Sequence, residues 1–347
     1  MRMVFCFGLL LTTGWFCSFA EGAMPQASPA TCQTRVSIVD GKWYINGEVT
    51  YPGTKAAGLL MNVRMVNATF EDRRRPEFGV EANTAAFMAG IPDYAAHGVR
   101  AFTLCLQGGM PGYEGAVNSA FAPDGSLRQD YLQRIRRVIE ACDRQGVVVI
   151  LGCYYQRQSG ILKDENAVRT GLANVVKWIR DSALTNVVLE TANEYPHKGF
   201  VHGVLRSPEG QADLLRLAKQ TWPQLLVSAS GYGDGKLHSP VAEASDFLLI
   251  HFNGTPVEEI PVRIAALRKF GKPIVCNEDD KTGRTAARAA EICVENGASW
   301  GLMLNQLNQY VPFTFHGAAD DPVVYARLQE LTMPPDGAIQ HQRRSQE

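Results

Sequence analysis

The sequence lacks a charge bias: 34 Lys and Arg stand against 35 Asp and Glu in 347 residues, for a formal net charge of −1. Such a balance offers no basic face to nucleic acid or an anionic membrane, so neither is expected as a partner, and it suits an uncharged substrate. Cysteine is present but unpatterned. Of the eight, Cys6 and Cys17 lie near the N-terminus without a lipidation context. Cys32, Cys105, Cys142, Cys153, Cys276 and Cys293 include no C-x-x-C pair, which excludes the common zinc and disulfide-scaffold patterns. Cys105, Cys153 and Cys276 sit in apolar runs and read as small buried hydrophobes. His197 and His202 have no partner at zinc spacing. Asp279-Asp280 could hold a cation, but adjacent acids more often face solvent. No cofactor is expected. No G-x-G-x-x-G follows the first strand-like run, which argues against a dinucleotide site. No apolar run reaches the ~20 residues of a membrane span.

What is present begins with an export signal. Met1-Arg2-Met3 is a short positive start, Val4 to Ala20 is largely apolar, and Ala20-Glu21-Gly22 places small residues at the two positions a signal peptidase reads. Residues 1–22 are therefore expected to be a signal peptide, a retained anchor being the alternative, and the mature protein to be secreted or periplasmic. Residues 23–37 read as a linker, 38–333 as the folded domain and 334–347 as a polar disordered tail. Oligomeric state is not legible.

Ser37 to Thr50 carries the turn signals Asp40-Gly41 and Asn46-Gly47 around Trp43, Tyr44 and Ile45, the pattern of a β-hairpin. Short apolar runs then recur near 58–66, 99–106, 147–153, 187–192, 225–229, 247–252, 273–277 and 298–304. They are too continuously apolar for half-exposed strands, which suits parallel strands covered on both faces. Amphipathic segments at Leu127 to Gln145, Glu165 to Asp181, Ser207 to Thr221, Pro256 to Phe270 and Thr282 to Asn296 fill gaps between them, and a last helix spans about Pro322 to Leu331. Gly146, Gly271 and Gly297 are helix stops. The pattern predicts an α/β fold, a (β/α)8 TIM barrel with a short N-terminal β-hairpin; an open doubly wound sheet is the runner-up.

In such barrels the working residues gather at the carboxyl ends of the strands. The fourth run ends Leu189-Glu190-Thr191-Ala192-Asn193-Glu194 and the seventh Pro273-Ile274-Val275-Cys276-Asn277-Glu278. Strand alternation would turn Glu190, Ala192 and Glu194 inward together. Glu190 reads as a buried structural carboxylate paired with a base such as Arg64. Glu194 and Glu278 read as a working pair. One protonated carboxyl can give its proton to a leaving oxygen while the other attacks the sugar's anomeric carbon, at ~5–5.5 Å for retention and ~6.5–9.5 Å for inversion. Gln107 ends the second run, Tyr154, Tyr155 and Gln156 the third, and Asn305 the eighth; Gln107, Tyr155 and Asn305 are candidate substrate contacts. The loop from Gly108 to Gly115 is a candidate cleft wall.

Residues 189–194 resemble the fourth-strand signature of glycoside hydrolase family 5 and its clan A relatives. Residues 273–278 resemble the seventh-strand segment carrying their nucleophile, and His251-Phe252-Asn253 resembles their sixth-strand His-x-Tyr. Trp43-Tyr44-Ile45-Asn46-Gly47 is similar to the small hairpin that often opens these domains. The resemblance implies a cofactor-free retaining hydrolase of neutral oligo- or polysaccharides, with Glu194 as acid/base, Glu278 as nucleophile, and Asn193 and His251 as their supports. The chain departs from the pattern in several places. Tyr195 stands between Glu194 and Pro196, and Thr103 occupies the place of a second-strand Arg, a charge that Arg64 could supply from the first strand. Asn253 replaces a Tyr, and Trp300 begins the eighth strand rather than ending it. A non-catalytic carbohydrate-binding barrel is the competing expectation, and a metal-dependent barrel hydrolase a third.

Overall fold

A computed structural model of the chain describes residues 32–108 and 115–334. The expected signal peptide, most of the expected linker, the middle of the Gly108–Gly115 loop and the tail after Pro334 lie outside the described residues. The first segment is a three-stranded antiparallel meander, β1 (Val36–Val39), β2 (Lys42–Ile45) and β3 (Glu48–Val49). Asp40 and Gly41 (φ 50° and 73°) and Asn46 and Gly47 (φ 54° and 82°) make both turns with positive φ at each central residue, the geometry that matches strand twist in a two-residue hairpin. The expected single hairpin is thus two in succession.

The end of the expected linker is tied down rather than loose. The backbone N–H groups of Gln33 and Thr34 donate to the Asp143 carboxylate at 2.9 and 2.7 Å, and the Thr34 hydroxyl donates to the Asp143 carbonyl. Buried backbone donors need such acceptors.

The barrel follows in eight strand–helix units among the described residues. In chain order these are β4 (Asn62–Arg64) and α1 (Val80–Ala96), β5 (Ala101–Cys105) and α2 (Gln129–Asp143), β6 (Val148–Tyr154) and α3 (Glu165–Asp181). Next come β7 (Val187–Ala192) with α4 (Gly203–Arg206) and α5 (Pro208–Thr221), then β8 (Val227–Ser228) with α6 (Ser239–Ala244). Last are β9 (Leu248–His251) with α7 (Ile260–Leu267), β10 (Ile274–Glu278) with α8 (Gly283–Glu295), and a split strand with α9 (Pro322–Thr332). In the split strand, β11 (Ala298–Ser299) pairs with β10 and β12 (Gly301–Leu302) pairs with β4. Single bridges from Ser230 to Leu249 and from Asp279 to Leu302 complete the circuit. Every barrel pairing is parallel, so the open doubly wound sheet is replaced by closure. No helix among the described residues is long and apolar enough to cross a membrane.

The inner face changes character along its length. Leu60, Ala101, Val148, Ile150, Val188, Leu249 and Val275 form an apolar floor, plugged by Trp43 of β2 lying edge-on to Phe247 at 5.2 Å. Alternation on each strand carries the same face upward to Asn62, Thr103 and Glu190, and then to Arg64 and His251. All five are buried. Gly301 belongs to this middle layer because Asn62 fills its place: a Cβ there would lie 2.1 Å from Asn62 Oδ1.

Candidate active site

The two glutamates reach the mouth by backbone irregularities, not by simple alternation. On β10, Val275 belongs to the inner floor and Cys276 to the outer core, so Glu278 should by parity face outward with Cys276. A register shift between Cys276 and Glu278, where Glu278 pairs with His251, returns it to the mouth. Bulges re-aim side chains in this way beside active sites. β7 ends at Ala192, and Glu194 lies beyond it with φ 47°, a left-handed conformation that costs a residue with a Cβ ~1–2 kcal/mol.

The result is compact. One oxygen of each glutamate and a ring nitrogen of His251 lie within 4.8 Å of one another. His251 Nδ1 sits 3.5 Å from Glu194 Oε1 and 3.6 Å from Glu278 Oε2, so one imidazole nitrogen faces both carboxylates. Arg64 Nε pairs with Glu278 Oε2 at 2.8 Å while its Nη2 donates to Asn193 Oδ1 at 2.8 Å. Asn253 Nδ2 donates to Glu278 Oε1 at 2.5 Å. Gln156 Nε2 donates to Glu194 Oε2 at 3.2 Å, and Gln156 Oε1 accepts from Asn193 Nδ2 at 3.1 Å. Thus Arg64, Asn193, His251, Glu194 and Glu278, all expected, are brought together. Gln156 and Asn253, not counted among the expected contacts, join them.

Other expected residues make their bonds away from the pair. Gln107 does not reach the pair: it is buried, donates to Ser119 and to the Gln158 carbonyl, and accepts from the Tyr155 backbone, so it fastens loops. Asn305 lies in a π-helical turn, Asn305–Gln309, and donates to Asp280 instead. Tyr154 points outward to the Val168 carbonyl. Tyr155 packs with Val66 and Cys105 beside the site. Burial, opposed by Arg64 and aided by the glutamates, pushes its phenol well above the usual range. Glu190 makes no direct ion pair with Arg64; its Oε1 accepts from the Ser230 hydroxyl at 2.5 Å. Asp279 is buried rather than solvated, held by Lys281 Nζ and Trp300 Nε1, each at 2.8 Å. Ser230 gave no sequence signal, because a lone serine after a short strand has none.

The charges are uneven. Burial opposes ionisation of Glu194, but the hydrogen bond and charge of His251, with Arg64 and His197, outweigh it and hold the carboxyl below its ordinary value. Burial also opposes charge on His251, yet Glu278 and Glu194 together raise its pKa above 6.5. Glu190 is raised, chiefly by burial. Glu194, His251 and Glu278 are, among the described residues, the one set of three donors close enough for a metal ion. The Arg64 guanidinium already occupies an oxygen of Glu278 with a fixed positive charge, which fits poorly with a cation in the same place.

No protein-family model and no curated protein matches the chain. Solved structures do match in fold. A family 5 subfamily 4 broad-specificity endoglucanase from Clostridium longisporum has a TM-score of 0.56 at 10% identity, covering 82% of this chain and 99% of that one. An endo-1,4-β-mannanase from Eisenia fetida gives 0.57 at 12% identity, over 86% of this chain and 96% of that one. A β-mannanase from the blue mussel Mytilus edulis gives 0.57 at 11% identity, over 88% and 99%. The chain therefore has the barrel fold of family 5 glycoside hydrolases, as a remote member of that fold.

Proposed function

We propose that the chain is an exported retaining glycoside hydrolase acting on a neutral β-linked glycan. The observation that carries this reading is the closeness of the two carboxylates: one oxygen of each lies within 4.8 Å of the other, which favours the ~5–5.5 Å spacing of a retaining pair over the ~6.5–9.5 Å of an inverting one. In the first step a Glu278 oxygen bonds to the anomeric carbon, the bond to the leaving oxygen breaks, and Glu194 supplies that oxygen's proton. In the second step water attacks the same carbon, Glu194 takes the water's proton, and Glu278 leaves. Arg64 and Asn253 each hold an oxygen of Glu278 and so keep it aimed. Beside Glu194, a cleft whose lining includes Pro196, Tyr232, Asp234, Lys236, Leu237 and His238 offers room for a leaving sugar, with Tyr232 40% exposed.

One observation favours a second reading, a non-catalytic carbohydrate-binding barrel. His251 holds Glu194 ionised, whereas an acid must carry a proton. Desolvation reconciles the two for the hydrolase. Water leaving the mouth as a sugar enters disfavours both members of the Glu194–His251 ion pair, and the neutral pair puts the proton on Glu194.

The test uses β-1,4-glucan and β-1,4-mannan oligosaccharides together with aryl β-glycosides. Glu194→Gln and Glu278→Gln should each lower hydrolysis by about 10³-fold or more while the protein stays folded. A 2-deoxy-2-fluoro glycoside should label Glu278. Wild-type-like turnover in either variant sinks the assignment, and glycan binding by the wild type without released sugar selects the second reading.

A further inference from the structure

Glu194 is held in a left-handed backbone conformation, φ 47°, and one residue surrounds it. Ser230, just past β8, donates its N–H to the Ala192 carbonyl at 3.3 Å and accepts from the Tyr195 N–H at 3.0 Å. Between these, its Oγ accepts from the Glu194 N–H at 3.0 Å. A hydroxyl has one proton, and here it is committed: Ser230 donates it to Glu190 Oε1 at 2.5 Å, which leaves the oxygen's lone pairs for the Glu194 N–H. Ser230 and Glu190 are both fully buried. The other Glu190 oxygen has no partner among the described residues, so the serine is this carboxyl's one hydrogen bond there.

We infer that Ser230, aimed by Glu190, is a positioning residue for Glu194: it holds the backbone turn that places the acid/base carboxyl opposite Glu278. This rests on the glycosidase reading above. The bond to Glu190 makes the serine's acceptor direction fixed instead of free, and two backbone bonds on either side prevent the strained residue from relaxing into an ordinary extension of β7. Relaxation would swing the carboxyl away from His251 and Gln156. A displacement of ~1 Å at an acid/base group can cost ~10²-fold in rate.

The test separates positioning from mere packing through the leaving group. Wild type, Ser230→Ala, Ser230→Cys and Ser230→Thr are compared in single-turnover reactions on aryl β-cellobiosides and β-mannobiosides whose leaving groups run from 2,4-dinitrophenol to phenol. The dinitrophenolate departs without a proton, while phenol needs one from Glu194. Ser230→Ala should leave the dinitrophenyl rate within about twofold and slow the phenyl rate by about 10–100-fold. Ser230→Cys, which keeps the volume with a weak S–H donor, should fall between and serves if the alanine variant does not fold. Ser230→Thr, which keeps the hydroxyl, should restore the wild-type slope. Equal slowing across all leaving groups, or an unchanged slope in the alanine and cysteine variants, overturns the positioning role alone. A wild type that turns over none of these glycosides sinks the glycosidase reading, and the positioning role falls with it.

Discussion

The floor and the mouth of the barrel are built from the same strands by different rules. At the floor, Leu60, Val148, Val188, Leu249 and Val275 lie on regular strands and meet Trp43 from the meander. At the mouth, Glu194 sits on a left-handed residue and Glu278 after a register shift. Burial of apolar area has no preferred direction, so regular alternation is sufficient for it. Proton transfer and nucleophilic attack need atoms at set distances, and on the proposed hydrolase reading the backbone departs from regularity to set them where the carboxylates are placed. The mouth also leaves Arg64 Nη1, Glu190 Oε2 and His251 Nε2 buried without hydrogen-bond partners among the described residues, an arrangement that costs stability. Stability is concentrated at one end and the candidate site lies at the other.

That division can be broken most visibly at the floor. Trp43→Ala should destabilise the protein by about 3–5 kcal/mol, because it removes the ring that plugs the apolar layer and leaves a cavity. Urea unfolding would read this as a lower midpoint, and turnover well below the melting temperature should stay near wild type. A large fall in turnover of the still-folded variant would mean that floor and mouth are coupled. The reverse substitution in kind is Asn253→Ala, at a half-buried position whose amide donates to Glu278. A hydrogen bond to a charged group contributes about 1.5–3 kcal/mol, so the first chemical step should slow by roughly 10–100-fold. The unfolding midpoint should hardly move. Equal rates in Asn253→Ala and wild type would show that Arg64 alone aims Glu278.

The same division explains what could be read from the sequence. The eight strands were legible because each is a short apolar run, and α3 because its apolar residues contrast with charged ones. Val80–Ala96 was not read as a helix: Ala82, Ala85, Ala86 and Ala89 are exposed, so the buried Phe87, Ile91 and Tyr94 stand in no polar contrast, and Pro92 lies inside it. Both glutamates were legible because they end strands, but the route was not. Alternation was expected to turn Glu194 inward with Glu190, whereas β7 stops short of it. Arg64 was read two ways, as a base for Glu190 and as the positive charge near Glu278, and the structure pairs it directly with Glu278. Gln107 and Asn305 share the mouth's sequence pattern without its position, since strand ends do not say which way the following loop folds. Ser230 depends wholly on what surrounds it in space.

The smallest effect sharpens the comparison through pH. His251 has its folded pKa raised above 6.5 by Glu278 and Glu194. A group raised on folding contributes stability that is fully present below its unfolded pKa and lost as pH rises through the folded one. Glu194, lowered on folding, contributes stability that is present above its ordinary value near 4.5 and lost as pH falls through the folded pKa. The ion pair at the mouth is therefore worth most between these limits. Wild-type stability should show a component that fades as pH climbs from 6.5 through the raised His251 pKa, and His251→Gln should lack it. The difference between the two unfolding curves, measured by urea midpoints from pH 5 to 9, isolates the imidazole from every other titrating group. Trp43→Ala should lower the curve at all pH values without changing its shape, because the floor holds no charge. A pH-independent difference between His251→Gln and wild type would mean that the imidazole stays neutral between the carboxylates.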